Sequence, residues 1–273
     1  MTEQLKEYNL RKTDKKLDIR LTNQHMEALA VEINRLIDLR VQENIDKRRT
    51  ALELKQAIAN ISHDLRTPLT SIIGYIQLIE SEDSSAEDKK TYYAVSKRRT
   101  KQLQDLLNEF FELSLIESSD YELKFAQVRL DLLVSEHLMT YYDAFEENKI
   151  QPDIDFLDKK TIIWADESAV KRVLDNLLVN ALKHAKTHVS IQFQVTSDHA
   201  VFSISNDAKQ LTDKDIPFLF DRFYTGNKSR QDSGTGLGLT IAKNLMHKMN
   251  GRLSAELKDN QLHISCTWPL LRD

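Results

Sequence analysis

A chain of 273 residues with 41% hydrophobic content has enough apolar mass for two ordinary domains. Its net charge of −4 lacks the basic footprint of a nucleic-acid binder, and its single cysteine, Cys266, excludes an internal disulfide framework. No apolar run approaches the about 20 residues that span a bilayer, no signal peptide opens the chain, and the scarcity of glycine (6) and proline (4) favours long helices.

Residues 1–20 mix both charge signs with sparse apolar positions and read as a solvated approach segment. From Met26 the apolar residues Met26, Leu29, Ile33 and Leu36 follow a coiled-coil seam of about one and a half heptads, which predicts a helical linker over 1–50. The same stepping resumes through Leu54, Ile58, Ile61, Leu65, Leu69, Ile72 and Ile76 on one helical stripe. Small polar residues at 81–86 break it. A second amphipathic helix then carries Val95, Leu103, Leu106, Leu107, Phe110, Leu113 and Leu115. Two long helices joined by a short loop predict an antiparallel hairpin over 51–120. Its apolar face is broader than one hairpin covers, so dimerisation into a four-helix bundle is expected.

After residue 120 the texture changes. Short β-like runs at 150–156, 161–164, 189–195, 201–205 and 262–268 alternate with helical patterns at 130–147, 167–186 and 237–250. That alternation predicts an α/β sandwich over 121–273, a mixed sheet with helices on one face. A long polar stretch at 207–235 carries few periodic signals, as a functional lid or a disordered segment does.

Three segments have the composition for chemistry. In Ser62-His63-Asp64-Leu65-Arg66-Thr67-Pro68-Leu69, the stripe claims Ile58, Ile61, Leu65 and Leu69 and turns His63 toward solvent. Thr67 lies one turn on, on the same face as His63, and Pro68 predicts a bend just after His63. An isolated His-Asp pair is otherwise an ordinary surface feature. Along 174–184, Asn176, Asn180 and Lys183 share a helical face beside Val173, Leu174, Leu177, Leu178 and Ala181. Amide oxygens suit Mg²⁺ and a lysine suits phosphate, although two Asn residues on a solvent face are equally ordinary. Gly234, Gly236 and Gly238 precede an amphipathic helix, where free N–H groups and the dipole favour an anion. Neither a dinucleotide-binding βαβ unit nor a Gly-Lys-Ser/Thr ending accompanies them. Of the clustered aromatics Phe218, Phe220, Phe223 and Tyr224, Phe220 and Phe223 are expected to hold their loop against the domain.

In this order the segments resemble the sensor histidine kinases of bacterial two-component systems, over roughly residues 50–270. The 62–69 stretch is similar to the family's H box and 176–184 to its N box. Likewise, 219–224 is similar to the F box and 234–239 to the second glycine box. The resemblance implies a dimerising hairpin followed by an ATP-binding domain of the Hsp90 and gyrase B kind. His63 would attack the γ-phosphate of ATP, with Asp64 fixing the imidazole and acting as general base. Thr67 would place the water that dephosphorylates the response regulator. Asn180 would ligate Mg²⁺. Asn176, Lys183, His184, Asn206, Arg222, Gly234, Thr235, Gly236, Leu237 and Gly238 would hold the nucleotide. The implied partners are a second copy and a receiver-domain aspartate. The implied location is the cytoplasm, with any membrane contact made through a segment absent from this chain.

One stretch departs from the family pattern. The first glycine box usually reads Asp-x-Gly-x-Gly, whereas this chain has Asn206-Asp207-Ala208-Lys209-Gln210. Either the Asn206 carbonyl or the displaced Asp207 carboxylate would then accept from the adenine amino group. A neutral acceptor binds less strongly than a carboxylate. The departure leaves a second reading, a kinase-impaired dimeric scaffold or phosphatase module with weak nucleotide binding. A stand-alone ATPase would leave the hairpin and His63 without a role.

Overall fold

The computed structural model describes residues 24–118, 120–156, 159–226 and 235–271. The expected approach segment at 1–20, Gly234, and the side chains of Met26, Leu54, Ile58, Ile61, His63 and Asp64 lie outside the described residues. Packing divides the chain into two compact units, one ending at Ser62 and one running from His63 to Asp273.

A single helix, α1 (Gln24–Glu80), carries both the 26–36 seam and the 54–76 stripe, so no element boundary falls at residue 50. Pro68 lies inside α1 without ending it; the loss of one backbone hydrogen bond is borne by three further turns beyond it. In the first unit Leu29 and Leu36 are exposed while Ile37 is buried. Helix α2 (Ala86–Glu117) begins at Ser85, whose side chain accepts from the Asp88 amide at 3.1 Å. The Tyr75 and Tyr92 rings meet across the hairpin, with centroids 5.7 Å apart. Leu106, Leu113 and Ile116 are buried on α2, whereas Leu115 is exposed in the single chain. The step of three from Leu113 lands on Ile116, and Leu115 falls on the opposite side.

The rest of the second unit is an α/β sandwich. Strand β1 (Ala126–Arg129) leads into α3 (Leu130–Met139), α4 (Tyr142–Glu147), β2 (Asp153–Phe156) and β3 (Ile162–Ala165). Then follow α5 (Glu167–His184), β4 (Val189–Val195), β5 (His199–Asp207), α6 (Gly238–Lys248), β6 (Arg252–Lys258) and β7 (Gln261–Pro269). Five strands form a sheet in the order β2-β4-β5-β7-β6, parallel only between β2 and β4. The 161–164 run joins no part of that sheet. Its strand β3 pairs antiparallel with β1 as a separate ribbon.

Alternation decides which face of the sheet is buried. Ile191, Phe193, Phe202, Ile204, Ile264, Cys266 and Trp268 point into one core, where α5 supplies Val173, Leu174, Leu177 and Leu178. Helix α6 adds Ile241, Ala242, Leu245 and Met246 and packs on both α5 and α2. The expected single helix at 130–147 is two, because Thr140 closes α3 by donating its hydroxyl and amide to the His137 carbonyl at 2.7 and 3.2 Å. The strand expected from residue 150 starts at Asp153, just past Pro152, which has no amide to give a ladder. Strands β1 and β6 were not apparent from the pattern. Asp259 and Asn260, at φ 52° and 60°, form the tight turn joining β6 to β7. Among the described residues no helix is long and apolar enough to cross a membrane.

Candidate functional site

Helix α5 is the central support. Asp166 caps it, accepting from the Ser168 and Ala169 amides at 2.9 and 3.1 Å and from the Lys124 amide at 2.7 Å. Burial pushes the Asp166 carboxyl up, but the Ser168 hydroxyl, donating at 2.6 Å, and these amides outweigh it and hold it below the usual carboxylate range. With the apolar face of α5 fixed in the core, Asn176, Asn180 and Lys183 are left on its opposite side. They line a cavity of about 940 Å³ together with His184.

The second wall is the glycine turn that starts α6. Gly236 has φ +68°, and a Cβ there would come within 2.7 Å of the Tyr224 carbonyl. Its own carbonyl accepts from the Phe223 amide at 3.0 Å. Phe223 is buried and also sits at positive φ (62°), a strain of about 1–3 kcal/mol for a bulky residue that its packing must offset. A Cβ on Gly238 would come within 2.7 Å of Asn176 Oδ1, so a larger residue there would push the Asn176 side chain out of its present place in the cavity wall. Asn176 Nδ2 donates to the Arg172 carbonyl at 2.8 Å. Thr235 Oγ1 accepts from the Leu237 amide at 3.3 Å and caps the turn. Leu237 itself is fully buried and does not line the cavity.

The floor is the end of β5 and the stretch after it. Asn206 is 2% exposed, and its Nδ2 donates to the Asp207 carbonyl at 3.1 Å. The Asp207 carboxylate accepts from the amides of Lys186, Thr187 and His188 at 3.0–3.2 Å. Burial raises its pKa and those three amides lower it further, for a net shift downward. Asp207 is therefore committed to the α5–β4 turn, and Asn206 is the remaining base acceptor of the two candidates. Ala208 and Gln210 occupy the expected glycine positions, yet neither has positive φ, so their side chains bring no backbone strain.

The hairpin forms the opposite wall. Thr67, Pro68 and Ser71 of α1 and Glu109 of α2 line the same cavity. Thr67 lies about 6 Å along the helix axis from His63 at 1.5 Å per residue. Three contacts here have no signature in the sequence. The Glu109 carboxylate accepts from the Thr235 hydroxyl. Glu112 pairs with Arg172 through two hydrogen bonds, Nε donating to Oε1 at 2.6 Å. Glu117 Oε1 accepts from Arg222 Nη2 at 2.6 Å and from Asn244 Nδ2 at 3.2 Å. Arg222, expected at the nucleotide, is thus paired to the hairpin and does not line the cavity. Burial raises the Glu109 pKa against the lowering effects of Thr235, Arg172 and Lys183. His184 stays open to solvent at the rim; the protein around its ring, and then the Lys183 charge, hold its pKa below the ordinary histidine value.

The aromatic loop behaves as expected of a loop held to its domain. Phe223 is buried, Lys243 Nζ stands 5.7 Å from the Phe220 ring centroid, and the Tyr224 hydroxyl donates to Asp215.

Among the described residues no group of three His, Cys, Asp or Glu side chains is placed to hold a metal. The amide of Asn180 within the cavity is a hard oxygen donor. It fits a divalent ion such as Mg²⁺ that takes its other ligands from phosphate and water.

Known proteins agree with this geometry. Residues 53–119 match the His Kinase A (phospho-acceptor) domain. Residues 165–272 match the Histidine kinase-, DNA gyrase B-, and HSP90-like ATPase family. The sensor histidine kinase YcbM of Bacillus subtilis is 33% identical, over 87% of this chain and 78% of that protein. The sensor protein VanSC of Enterococcus gallinarum is 28% identical, over 90% of this chain and 69% of that protein. Among solved structures, the Acinetobacter baumannii histidine kinase AdeS superposes with a TM-score of 0.62 at 21% identity, covering 77% of this chain and 98% of that one. The histidine kinase ThkA, solved in complex with the response regulator protein TrrA, gives 0.69 at 20% identity, covering 85% of this chain and 66% of that one.

Proposed function

The chain belongs to the sensor histidine kinases and is an ATP-dependent protein-histidine kinase, and on that premise we propose that His63 is its phospho-acceptor. The observation that carries this reading is the shared cavity. It brings Asn176, Asn180, Lys183, Asn206, Thr235, Gly236 and Gly238 opposite Thr67 and Pro68, one turn past His63. In the reaction a ring nitrogen of His63 bonds to the γ-phosphorus of ATP, the bond to the β-phosphate oxygen breaks, and ADP leaves. Asp64, the next residue, fixes the imidazole tautomer and takes up its proton. Asn206 accepts from the adenine amino group, and Lys183 meets the phosphates as a point charge. The N-terminus of α6 offers its free amides to them. Asn180 would hold Mg²⁺, which when bound offsets phosphate charge. The phosphoryl group then passes to a receiver-domain aspartate of a response regulator, and Thr67 serves the reverse duty of placing water for its removal.

Dimerisation completes this picture. Leu69, Ile73 and Ile76 on α1 and Phe111 and Leu115 on α2 are all more than 40% exposed in the single chain. A second copy that covers them gives the four-helix bundle the hairpin pattern calls for.

The test is labelling with γ-³²P-ATP and Mg²⁺. Wild type is expected to accumulate acid-labile, alkali-stable label, His63→Gln none, and Asn180→Ala at most a trace. Thr67→Ala is expected to label normally and to lose dephosphorylation of the regulator. Full label on His63→Gln would remove the assignment.

A further inference from the structure

Two of the residues that the sequence assigns to the nucleotide are engaged by carboxylates of α2 instead. The Thr235 hydroxyl, in the turn that starts α6, donates to Glu109. The Arg222 guanidinium donates to Glu117, which also takes Asn244 of α6. Between them, Glu112 holds Arg172 on α5. These three acids, spaced three and five residues apart, each bind a different segment of the nucleotide domain. Glu109 is itself part of the cavity wall, facing Lys183 and Arg172 as cations and Glu112 as a like charge.

We infer that Glu109 acts as a phosphate mimic in the cavity wall while Glu117 holds Arg222 out of that cavity, so that docking of the hairpin and binding of the triphosphate exclude one another. This rests on the reading that the cavity takes ATP. The physical case has three parts. A carboxylate and a phosphate seek the same groups, a helix N-terminus and its hydroxyl and a guanidinium, so one anion occupies what the other needs. A half-buried carboxylate beside the phosphate position repels it with less screening by salt than an exposed one. By linkage, whatever the docked acids take from ATP affinity, ATP takes from docking. ATP binding then frees the nucleotide domain from α2, which that domain must leave to carry a γ-phosphate to His63. Glu112 touches no predicted phosphate ligand; its pair with Arg172 orients the docked domain without competing for ATP.

The experiment uses the full chain with the isosteric pair Glu109→Gln/Glu117→Gln and measures binding of ATP and of adenosine by calorimetry. ATP affinity is expected to rise about 5-fold or more, the size of an ordinary coupling, while adenosine affinity stays unchanged because it carries no phosphate. Hydrogen exchange gives the reciprocal view: AMP-PNP is expected to deprotect residues 109–117 of the wild-type chain, and adenosine is not. An unchanged or lowered ATP affinity in the pair, or an equal gain for adenosine, overturns the inference. So does an α2 exchange pattern indifferent to AMP-PNP. Asn180→Ala keeps the two readings apart: if it binds ATP as wild type does, the site itself is misplaced, whatever the glutamate pair does.

Discussion

The hairpin and the α/β domain meet the demand for burial in different ways. In the domain Trp268, Phe193, Phe202, Leu177 and Leu178 have at most 1% of their surface exposed, and facing elements supply every wall of that core. On the hairpin Leu69, Ile73, Phe111 and Leu115 are each about half exposed or more, while the buried set on α2 reduces to Leu106, Leu113 and Ile116 with Ser96. The domain is complete in one copy; the hairpin holds half a core. One consequence is thermodynamic. The stability of the domain is its own, whereas that of the hairpin depends on the concentration of its partner copy. The other is functional, since a self-sufficient nucleotide domain can leave α2 and return without unfolding.

The largest effect that would break this contrast comes from removing one aromatic ring on each side. Phe193 is fully buried and stacks on Phe156 with centroids 4.9 Å apart. Phe193→Ala should cost the domain about 3–5 kcal/mol by loss of transfer energy and an unfilled cavity. Phe111→Ala should leave the calorimetric transition of the domain in place and shift the sedimentation equilibrium toward monomer. If Phe111→Ala instead melts the domain and leaves the association state alone, the hairpin is not half a core.

A smaller effect tests the joint between the regions. Asp166 caps α5 and also takes the Lys124 amide, in the segment that leads out of the hairpin. Asp166→Ala should lower the stability of the domain by about 1–2 kcal/mol, with Asp166→Asn recovering part of it. The matching cap on the hairpin, Ser85, lies at an exposed turn, so Ser85→Ala should cost about 0.5–1 kcal/mol. Urea titrations of the three variants give the order; a Ser85→Ala loss equal to that of Asp166→Ala would erase the distinction.

Legibility in the sequence follows the same division between local and distant causes. The hairpin, α5, β4 and the glycine turn were legible because periodicity and glycine clustering are local. The cavity lining was legible at Asn176, Asn180, Lys183 and Gly238, where a helical face or a turn dictates direction. Arg222 and Leu237 do not line the cavity. A motif lists neighbours in sequence without saying which side chain turns away, and here one pairs with Glu117 and the other is buried. Strand β6 was missed because its alternating residues Leu253, Ala255 and Leu257 are only half-buried at a sheet edge. Glu109 left no trace in the pattern, being one acid among many on an amphipathic helix until folding brings it to Thr235.

The smallest effect belongs to the domain and is read through pH. The Ser168 hydroxyl and backbone amides hold the Asp166 carboxyl below the usual range, and the amides of Lys186, Thr187 and His188 do the same for Asp207. A lowered folded pKa contributes stability that is complete above the unfolded value, about 3.9, and is lost as pH falls through the folded one. The domain should therefore weaken in acid. Urea midpoints measured across pH read the trend, and in Asp166→Asn it should flatten in part, because the amide has no proton to gain. A domain whose midpoints hold as pH falls through the aspartate range would show that these caps carry no such stability.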